Sequence, residues 1–156
     1  MINAKKQPKV LEFNCRFGDP EAQPTLFRLK TDLVDACLRT LEGRTEELQL
    51  EFDPKTALGV VLAAKGYPDS YETGWNVKGA EKASGLKDLK IFHAGTAFSG
   101  SDVVSTGGRV LCVVGLGDNV KEAKNVSYQG VSLVKSSNLF YRSDIGYRAI
   151  ARMKSE

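Results

Sequence analysis

Short apolar stretches separated by glycine-containing turns fill the chain after Pro54, and this pattern limits the possible folds more than any other feature. Short stretches rich in β-branched and aromatic residues are typical of strands. We therefore predict strands over 56–65, 90–95, 102–105 and 109–115. The Gly107-Gly108 pair between the last two has the composition of a tight turn that could close a hairpin.

A helix is predicted directly after the last of these strands, with Asp118 as its N-cap. Small or apolar residues then recur at helical spacing and define one face. They are Val120, Ala123, Ser127, Gly130, Val131 and Val134. The pattern after Pro54 thus indicates a small, mostly antiparallel β domain with one helix.

The stretch before Pro54 has a different pattern. Residues 9–15 alternate apolar and polar side chains, which predicts a strand. Loop-forming residues follow over 16–23, and leucines at three- and four-residue spacing then predict one helix over 24–41, with Gly43 as its stop. A charged segment ends at Asp53-Pro54 and predicts a boundary, so we expect an α+β fold with two units, 1–52 and 53–156.

Composition narrows the possible functions. The net charge of +3 comes from 22 basic and 19 acidic residues spread along the chain, which does not favour nucleic-acid binding. The three cysteines lack C-x-x-C spacing and there is one histidine, so neither a disulfide framework nor a zinc site is expected. We expect the cysteines to be small, reduced, buried side chains. With no apolar run long enough for a membrane span and no signal-peptide pattern, we expect a cytoplasmic protein without membrane contact.

The first candidate site is Glu12 with Asn14. Residues two apart on a strand point to the same face, so the predicted strand would aim both oxygen donors together. A carboxylate beside an amide carbonyl suits a hard cation such as Mg²⁺, which completes its shell with phosphates and water. The alternative is a solvated strand face with no ligand.

The second candidate site is the loop over 16–23, which follows that strand and leads into a helix. It combines an arginine, acidic residues and a glycine, which suits an anionic substrate. The alternative is a loop whose Asp19 or Glu21 only caps its own helix.

Other residues have weaker claims to chemistry. The stretch 115–118 (G-L-G-D) lacks the third glycine of a dinucleotide loop and indicates a plain strand-to-helix turn. Ser127 and Ser132 have no histidine partner in sequence, and His93 fits a core histidine. The aromatic residues on the 67–75 loop could form a lid or simply anchor the loop.

The stretch V-L-E-F-N-C-R-F-G-D-P-E-A-Q, residues 10–23, resembles the signature of glycinamide ribonucleotide synthetases. Further blocks of the chain resemble that family in the same order. They are A-L-G-V-V-L-A-A-K-G-Y-P (57–68), F-H-A-G-T (92–96), G-G-R-V-L-C-V-V-G-L-G (107–117) and D-I-G-Y-R-A-I (144–150). The resemblance covers essentially the whole chain and is to the family's C-terminal portion.

The resemblance implies an ATP-grasp ligase of purine biosynthesis that joins phosphoribosylamine to glycine with ATP, giving glycinamide ribonucleotide, ADP and phosphate. It implies that Glu12 and Asn14 bind Mg²⁺ or Mn²⁺, and that Arg16, Asp19 and Pro20 line the substrate side of the site. It also implies the last strand, loop and helix of an ATP-grasp domain, followed by a domain like the C domain of biotin-carboxylase-like enzymes.

Members of that family are much longer than this chain, and their remaining part carries the glycine-binding domain and most of the ATP clamp. We therefore expect the chain to be inactive alone and to need a missing N-terminal portion or a complementing chain. The alternative is a non-catalytic binding or interaction module derived from the same fold.

Overall fold

The structure of the protein is a computed structural model, and it describes residues 4–13 and 15–153. The strands in chain order are β1 (Thr56–Ala64), β2 (Leu89–His93), β3 (Thr96–Ser99), β4 (Asp102–Ser105), β5 (Arg109–Gly117) and β6 (Leu139–Phe140). The helices are α1 (Ala22–Arg28), α2 (Leu33–Leu41), α3 (Ala80–Ser84), α4 (Val120–Leu133) and α5 (Tyr147–Arg152), and a 3-10 turn spans Thr45–Glu47.

A four-stranded antiparallel sheet in the order β2-β5-β1-β6 forms the centre of the C-terminal part. Strands β1 and β5 pair along most of their length, with Val60 opposite Val113. The side chains of β5 are buried on both faces of the sheet. Val113 and Val114 point to opposite faces, and neither has any exposed surface. A strand of this kind needs cover on both sides, and helices provide it.

Helix α4 covers one face of the sheet. Its predicted inner face is largely confirmed, since Ala123, Ser127 and Val131 are buried. The helix approaches so closely at Gly115 that a Cβ there would lie 2.6 Å from the backbone nitrogen of Ser127. Glycine at this position therefore sets the distance between helix and sheet.

The opposite face of the sheet is covered by α1. A Cβ on Gly59 would lie 3.2 Å from the Sγ of Cys112 and 3.8 Å from the Cδ of Pro24, at the start of α1. The rings of Phe27 and Phe92 meet edge to face at 6.2 Å. Since neighbouring residues on a strand point to opposite faces, Gly59 faces α1 while Leu58 faces α4.

The N-terminal part differs from the prediction in two elements. Residues 9–13 and 15 belong to no strand, because a strand needs a ladder of pairings with a neighbour, and the ladders among the described residues do not include this stretch. The single predicted helix over 24–41 is two helices, α1 and α2. The break lies at Leu29, which pairs with Phe52, and Asp32 then caps α2 by accepting from the backbone nitrogens of its first turn.

The predicted strands after Pro54 are confirmed to within one or two residues, whereas β3 and β6 were not predicted. The predicted hairpin at Gly107-Gly108 is wrong, because β4 pairs with β3 and not with β5. The N-cap of α4 is Asn119, one residue after the predicted Asp118. These corrections leave the α+β class unchanged.

Two of the three cysteines differ from the expectation. Cys112 is buried, with 2% of its surface exposed, but Cys15 and Cys37 are exposed. Over the described ranges, no helix is both long and apolar enough to cross a membrane.

Candidate functional site

The loop over 16–23 is called the substrate loop below, after the substrate-binding role that the sequence predicts for it, and Arg109 fixes it to the C-terminal sheet. The Nη1 of Arg109 donates to the Asp19 carbonyl at 2.9 Å, and its Nη2 lies 3.2 Å from the Asp19 Oδ2. Arg109 is the first residue of β5, so one side chain of the sheet holds both the backbone and the carboxylate of a loop residue. The Asp19–Pro20 peptide bond, next to this contact, is cis.

The Asp19 carboxylate has a second neighbour in the first turn of α1. The Nε2 of Gln23 donates to Oδ1 of Asp19 at 3.4 Å, while the Oε1 of Gln23 is buried and has no hydrogen-bond partner among the described residues. Burial, with the negative charge of Asp19, raises the pKa of the Cys112 thiol from 9.0 to about 11.

The substrate loop does not cap its own helix with either predicted carboxylate. Glu21 occupies the N-cap position of α1 but makes no side-chain cap hydrogen bond, and its carboxylate folds over Gly18. The carboxylate of Asp19 is engaged by Arg109 and Gln23. The helix-capping alternative for this loop is therefore wrong, and the acidic residues need another explanation.

Arg16 is exposed at the beginning of the substrate loop. Its Nη1 donates to the carbonyl of the adjacent Phe17 at 3.2 Å. A guanidinium carries five N–H donors in a planar fork, and donors beyond the one used in this contact suit a phosphate or carboxylate. The loop thus places an exposed cation three residues from a carboxylate that is held in a fixed position.

The predicted metal ligands are only partly described. The side chain of Glu12 is exposed, and Asn14 lies outside the described residues. Within the described part of the chain, no group of three or more His, Cys, Asp and Glu side chains could hold a metal ion. The assignment of Glu12 and Asn14 to a metal ion therefore stays a prediction.

Arg109 is a site residue that the sequence reasoning did not single out. Its contact with Asp19 spans 90 residues, which no local pattern reveals. The available signal was its place in the G-G-R-V-L block, where two glycines precede it.

The weaker candidates have structural explanations. Ser127 is buried, donates to the carbonyl of Leu58 at 2.6 Å and accepts from the backbone nitrogen of Gly115 at 2.9 Å, so it joins α4 to the sheet. His93 is exposed rather than buried in the core, and its Nδ1 lies 2.9 Å from the Thr96 hydroxyl.

In the stretch 115–118 the first three residues end β5, and two residues then connect Gly117 to α4, so a plain strand-to-helix connection is confirmed one or two residues later than predicted. The aromatic loop is anchored, since Tyr67 and Tyr71 meet edge to face at 6.0 Å and both approach Gly108. Trp75 pairs through its backbone with Ser105, whose nitrogen donates to the Trp75 carbonyl at 2.9 Å. These contacts favour an anchored loop over a lid.

Comparison with known proteins gives consistent matches. Residues 57–148 match the family described as phosphoribosylglycinamide synthetase, C domain. The chain is 52% identical over 155 residues to the phosphoribosylamine–glycine ligase of Allochromatium vinosum and 50% identical over 155 residues to that of Yersinia pestis. Each match covers 99% of this chain and 36% of the relative.

A solved structure agrees with the sequence relatives. The crystal structure of phosphoribosylamine–glycine ligase from Thermotoga maritima superimposes with a TM-score of 0.78 at 33% identity, covering 93% of this chain and 35% of that one. The chain therefore spans about a third of the length of the relatives it matches.

Proposed function

The chain belongs to the phosphoribosylglycinamide synthetase family and corresponds to a C-terminal portion of phosphoribosylamine–glycine ligases, and from this premise we propose that it takes part in the ATP-dependent joining of glycine to phosphoribosylamine in purine biosynthesis. The observation that carries the proposal is the substrate loop, whose Asp19 is held on the C-terminal sheet by Arg109 while Arg16 stays exposed.

The proposed reaction has two steps. An oxygen of the glycine carboxylate attacks the γ-phosphorus of ATP, the bond to the bridging oxygen breaks, and ADP leaves. The amine nitrogen of phosphoribosylamine then attacks the acyl carbon, the bond to the phosphate oxygen breaks, and the amine loses a proton. Phosphate and glycinamide ribonucleotide are the products.

This chain's own residues act by binding and orientation in that scheme. Arg16 offers paired N–H donors to a phosphate or carboxylate of the substrates. Asp19 presents a fixed negative charge that suits an ammonium or amine group, and Pro20 fixes the backbone beside it. Preset charges of this kind lower the barrier because they need no reorganisation during the reaction.

Glu12 and Asn14 are proposed to supply two oxygen ligands to Mg²⁺ or Mn²⁺. The support is chemical, since an exposed carboxylate and an amide carbonyl suit a hard cation. Such a cation neutralises charge on the phosphate oxygens when it is bound. Because the described residues hold no further cluster of ligands, the remaining ones are proposed to come from another part of the enzyme.

The nucleotide clamp and the glycine-binding region are proposed to lie in the rest of the ligase, as a preceding portion or a complementing chain. The chain spans about a third of its relatives, so turnover by this chain alone is not expected. A cytoplasmic location is proposed with the same pathway, without nucleic-acid or membrane partners.

A chimera tests the proposed function. The matching 36% of the Allochromatium vinosum ligase would be replaced by this chain, and ADP formation would be followed with and without each substrate. We expect turnover that requires both glycine and phosphoribosylamine, and none from the same relative truncated before the replaced part. A folded chimera without turnover would contradict the proposal, and so would micromolar Mg-ATP binding by this chain alone in calorimetry.

A non-catalytic binding module is the alternative function, and an apolar cavity of about 550 Å³ favours it. The cavity lies between α1, α2 and the segment before β1. Its lining includes Leu26, Leu29, Leu33, Cys37, Leu41, Leu48, Leu50 and Phe52. The chimera separates the two functions, because a module without a catalytic role would not restore substrate-dependent ADP formation.

A further inference from the structure

We propose that Arg109 is a positioning residue: from the start of β5 it fixes Asp19, so that the C-terminal sheet sets the geometry of the substrate loop. This inference rests on the proposed function for its consequence in catalysis. The docking itself follows from the geometry alone, and it can be tested separately.

The two contacts of Arg109 do different things. The hydrogen bond from Nη1 to the Asp19 carbonyl, at 2.9 Å, fixes the backbone of the loop. The contact of Nη2 with Oδ2, at 3.2 Å, fixes the orientation of the carboxylate. A planar guanidinium makes both at once, whereas the single ammonium group of a lysine is a point charge without this fork.

Orientation, rather than stability, is the expected contribution of this pair. The side chains of Arg109 and Asp19 are 38% and 48% exposed. Ion pairs at such exposure add little to the free energy of folding. A pair that stabilises little but restrains the backbone and the carboxylate of a substrate-loop residue is suited to positioning.

The base of Arg109 is held in place by close backbone packing. The carbonyl of Arg109 accepts from the backbone nitrogen of Gly95 at 2.8 Å, and the backbone nitrogen of Thr106 donates to the Gly95 carbonyl at 2.8 Å. A Cβ on Gly95 would lie 2.7 Å from the Cα of Gly107, and one on Gly108 would collide with the ring of Tyr67. Glycines at positions 95, 107 and 108 therefore allow the close packing that directs the Arg109 side chain toward the substrate loop.

Gln23 completes the restraint from the other side of Asp19. Its Nε2 donates to Oδ1 at 3.4 Å, so each carboxylate oxygen of Asp19 has its own donor. Gln23 is in the first turn of α1, which packs on the sheet. The carboxylate is thus held between a strand residue and a helix residue.

The thiol of Cys112 is a built-in reporter of this docking. Cys112 is 2% exposed and faces Gly59 under the start of α1. Cys15 and Cys37 are exposed, so replacing both with serine leaves Cys112 as the single thiol of the chain. If the loop detaches, the start of α1 is released and Cys112 becomes accessible to alkylating reagents.

The first arm of the test measures iodoacetamide labelling of Cys112 in the full chain. We expect Arg109→Met to accelerate labelling at least about tenfold relative to the parent, which is well beyond a local surface change. Arg142→Met is the matched control, because it removes another ion-paired arginine, that with Asp144, outside the substrate loop. Unchanged labelling in Arg109→Met would overturn the proposal.

A more conservative variant keeps the test decisive if Arg109→Met does not fold. If Arg109→Met has no cooperative melt, Arg109→Lys decides, since it keeps the charge but not the fork. We expect labelling faster than in the parent and slower than in the fully unfolded chain. Labelling as slow as in the parent would overturn the proposal.

The second arm uses the active chimera and separates positioning from general damage. We expect Arg109→Met to raise the KM for phosphoribosylamine or glycine at least about tenfold, with less than about a twofold change in the KM for ATP. Equal increases in all three would overturn the positioning role. An inactive parent chimera would contradict the proposed function but leave the labelling arm to judge the docking.

Discussion

Asp19 joins two parts of the chain that are 90 residues apart. Its carbonyl and one carboxylate oxygen contact Arg109 on β5, and the other oxygen contacts Gln23 on α1. A carboxylate with donors on both oxygens has one defined direction, which an exposed side chain otherwise lacks. At the scale of single residues, these contacts fix the orientation of the Asp19 carboxylate on the sheet.

Glu12→Gln in the active chimera tests the metal assignment. The substitution keeps the shape of the side chain but removes a charge from the proposed cation site. We expect the turnover rate to fall at least tenfold, about 1.4 kcal/mol of transition-state stabilisation, and to recover partly at higher Mg²⁺ or with Mn²⁺. Calorimetric titration with Mn²⁺ should show weaker binding in the variant.

Glu21→Gln is the matched control for that experiment. Its carboxylate folds over Gly18 in the substrate loop, so we expect the metal dependence to stay as in the parent. If Glu12→Gln leaves the rate and its metal dependence unchanged, then Glu12 is only a surface residue and the assignment is wrong.

Because the pKa of Cys112 is raised in the folded state, we expect the free energy of unfolding to depend on pH. Burial raises the pKa of the folded thiol to about 11 from 9.0, so the folded state keeps a proton that the unfolded state loses between these values. The contribution of the thiol is complete below pH 9 and is lost as the pH rises through about 11. Between these two pH values the thiol lowers the free energy of unfolding by up to about 1.4 kcal/mol per pH unit.

Urea unfolding between pH 8 and 11, at roughly half-unit steps, measures this effect. We expect the free energy of unfolding of the parent to fall more steeply than that of Cys112→Ala, whose cavity cost does not depend on pH. Cys37→Ala, which removes an exposed thiol, should keep the slope of the parent. Parallel curves for the parent and Cys112→Ala would show that the thiol titrates alike in both states.

At the scale of elements, the start of α4 depends on one side chain. Asn119 has an extended backbone, and its Oδ1 accepts from the nitrogens of Lys121 and Glu122 at 3.0 Å. We expect Asn119→Ala to lower the free energy of unfolding by about 1 kcal/mol, because those nitrogens lose their partner. Asp118→Ala is the control, and its effect should be several-fold smaller. Equal effects in urea unfolding would contradict the cap assignment.

The elements that the sequence predicted well are those whose pattern is local. The strands after Pro54 are apolar runs between glycine turns, and α4 has a clear apolar face. The break between α1 and α2 was missed because its cause lies elsewhere in the chain: Leu29 pairs with Phe52, and Lys30 donates to the carbonyl of Glu51. Periodicity alone cannot detect a pairing across a loop.

In the candidate site, too, the sequence predicted the features with a local motif and missed those that depend on a distant contact. The substrate loop was identified from its motif, and the structure shows what engages its carboxylate. Arg109 was not singled out, because a contact between a loop and a distant strand leaves no spacing signal. The roles of Glu12 and Asn14 depend on strands that the described residues do not supply, so the sequence resemblance remains their support.

At the scale of the whole molecule, the described chain has a four-stranded sheet in its C-terminal part and an N-terminal part whose helix α1 packs on that sheet. The main core cluster lies in the later part and combines β1, β2, β5 and α4. The N-terminal part contributes exposed apolar side chains instead, among them Phe13, Phe17, Val34 and Leu41. Exposed apolar surface of this kind is typical of an interface with another part of a protein.

Residues 55–156 are therefore expected to unfold cooperatively as an independent unit, although less stably than the whole chain. The fragment keeps the sheet, α4 and the core cluster, and it contains the matched family segment 57–148. It loses α1, which uncovers Gly59, Cys112 and Phe92 on the outer face of the sheet. Uncovering that face should cost on the order of 2–4 kcal/mol, from apolar surface returned to water.

The exact boundary is tested by a shorter fragment, 57–156. Starting at 55 keeps the ion pair between Lys55 and Asp88, whose Nζ and Oδ1 are 2.6 Å apart, and this hydrogen bond raises the pKa of Lys55. Both side chains are partly covered, so we expect 57–156 to melt at a temperature lower by a few degrees. Circular dichroism at near- and far-ultraviolet wavelengths measures both melts. For 55–156 we expect sharp transitions that coincide at the two wavelength ranges. A broad transition, or different midpoints at the two wavelength ranges, would mean that the sheet needs α1 to fold and that the boundary before β1 is misplaced.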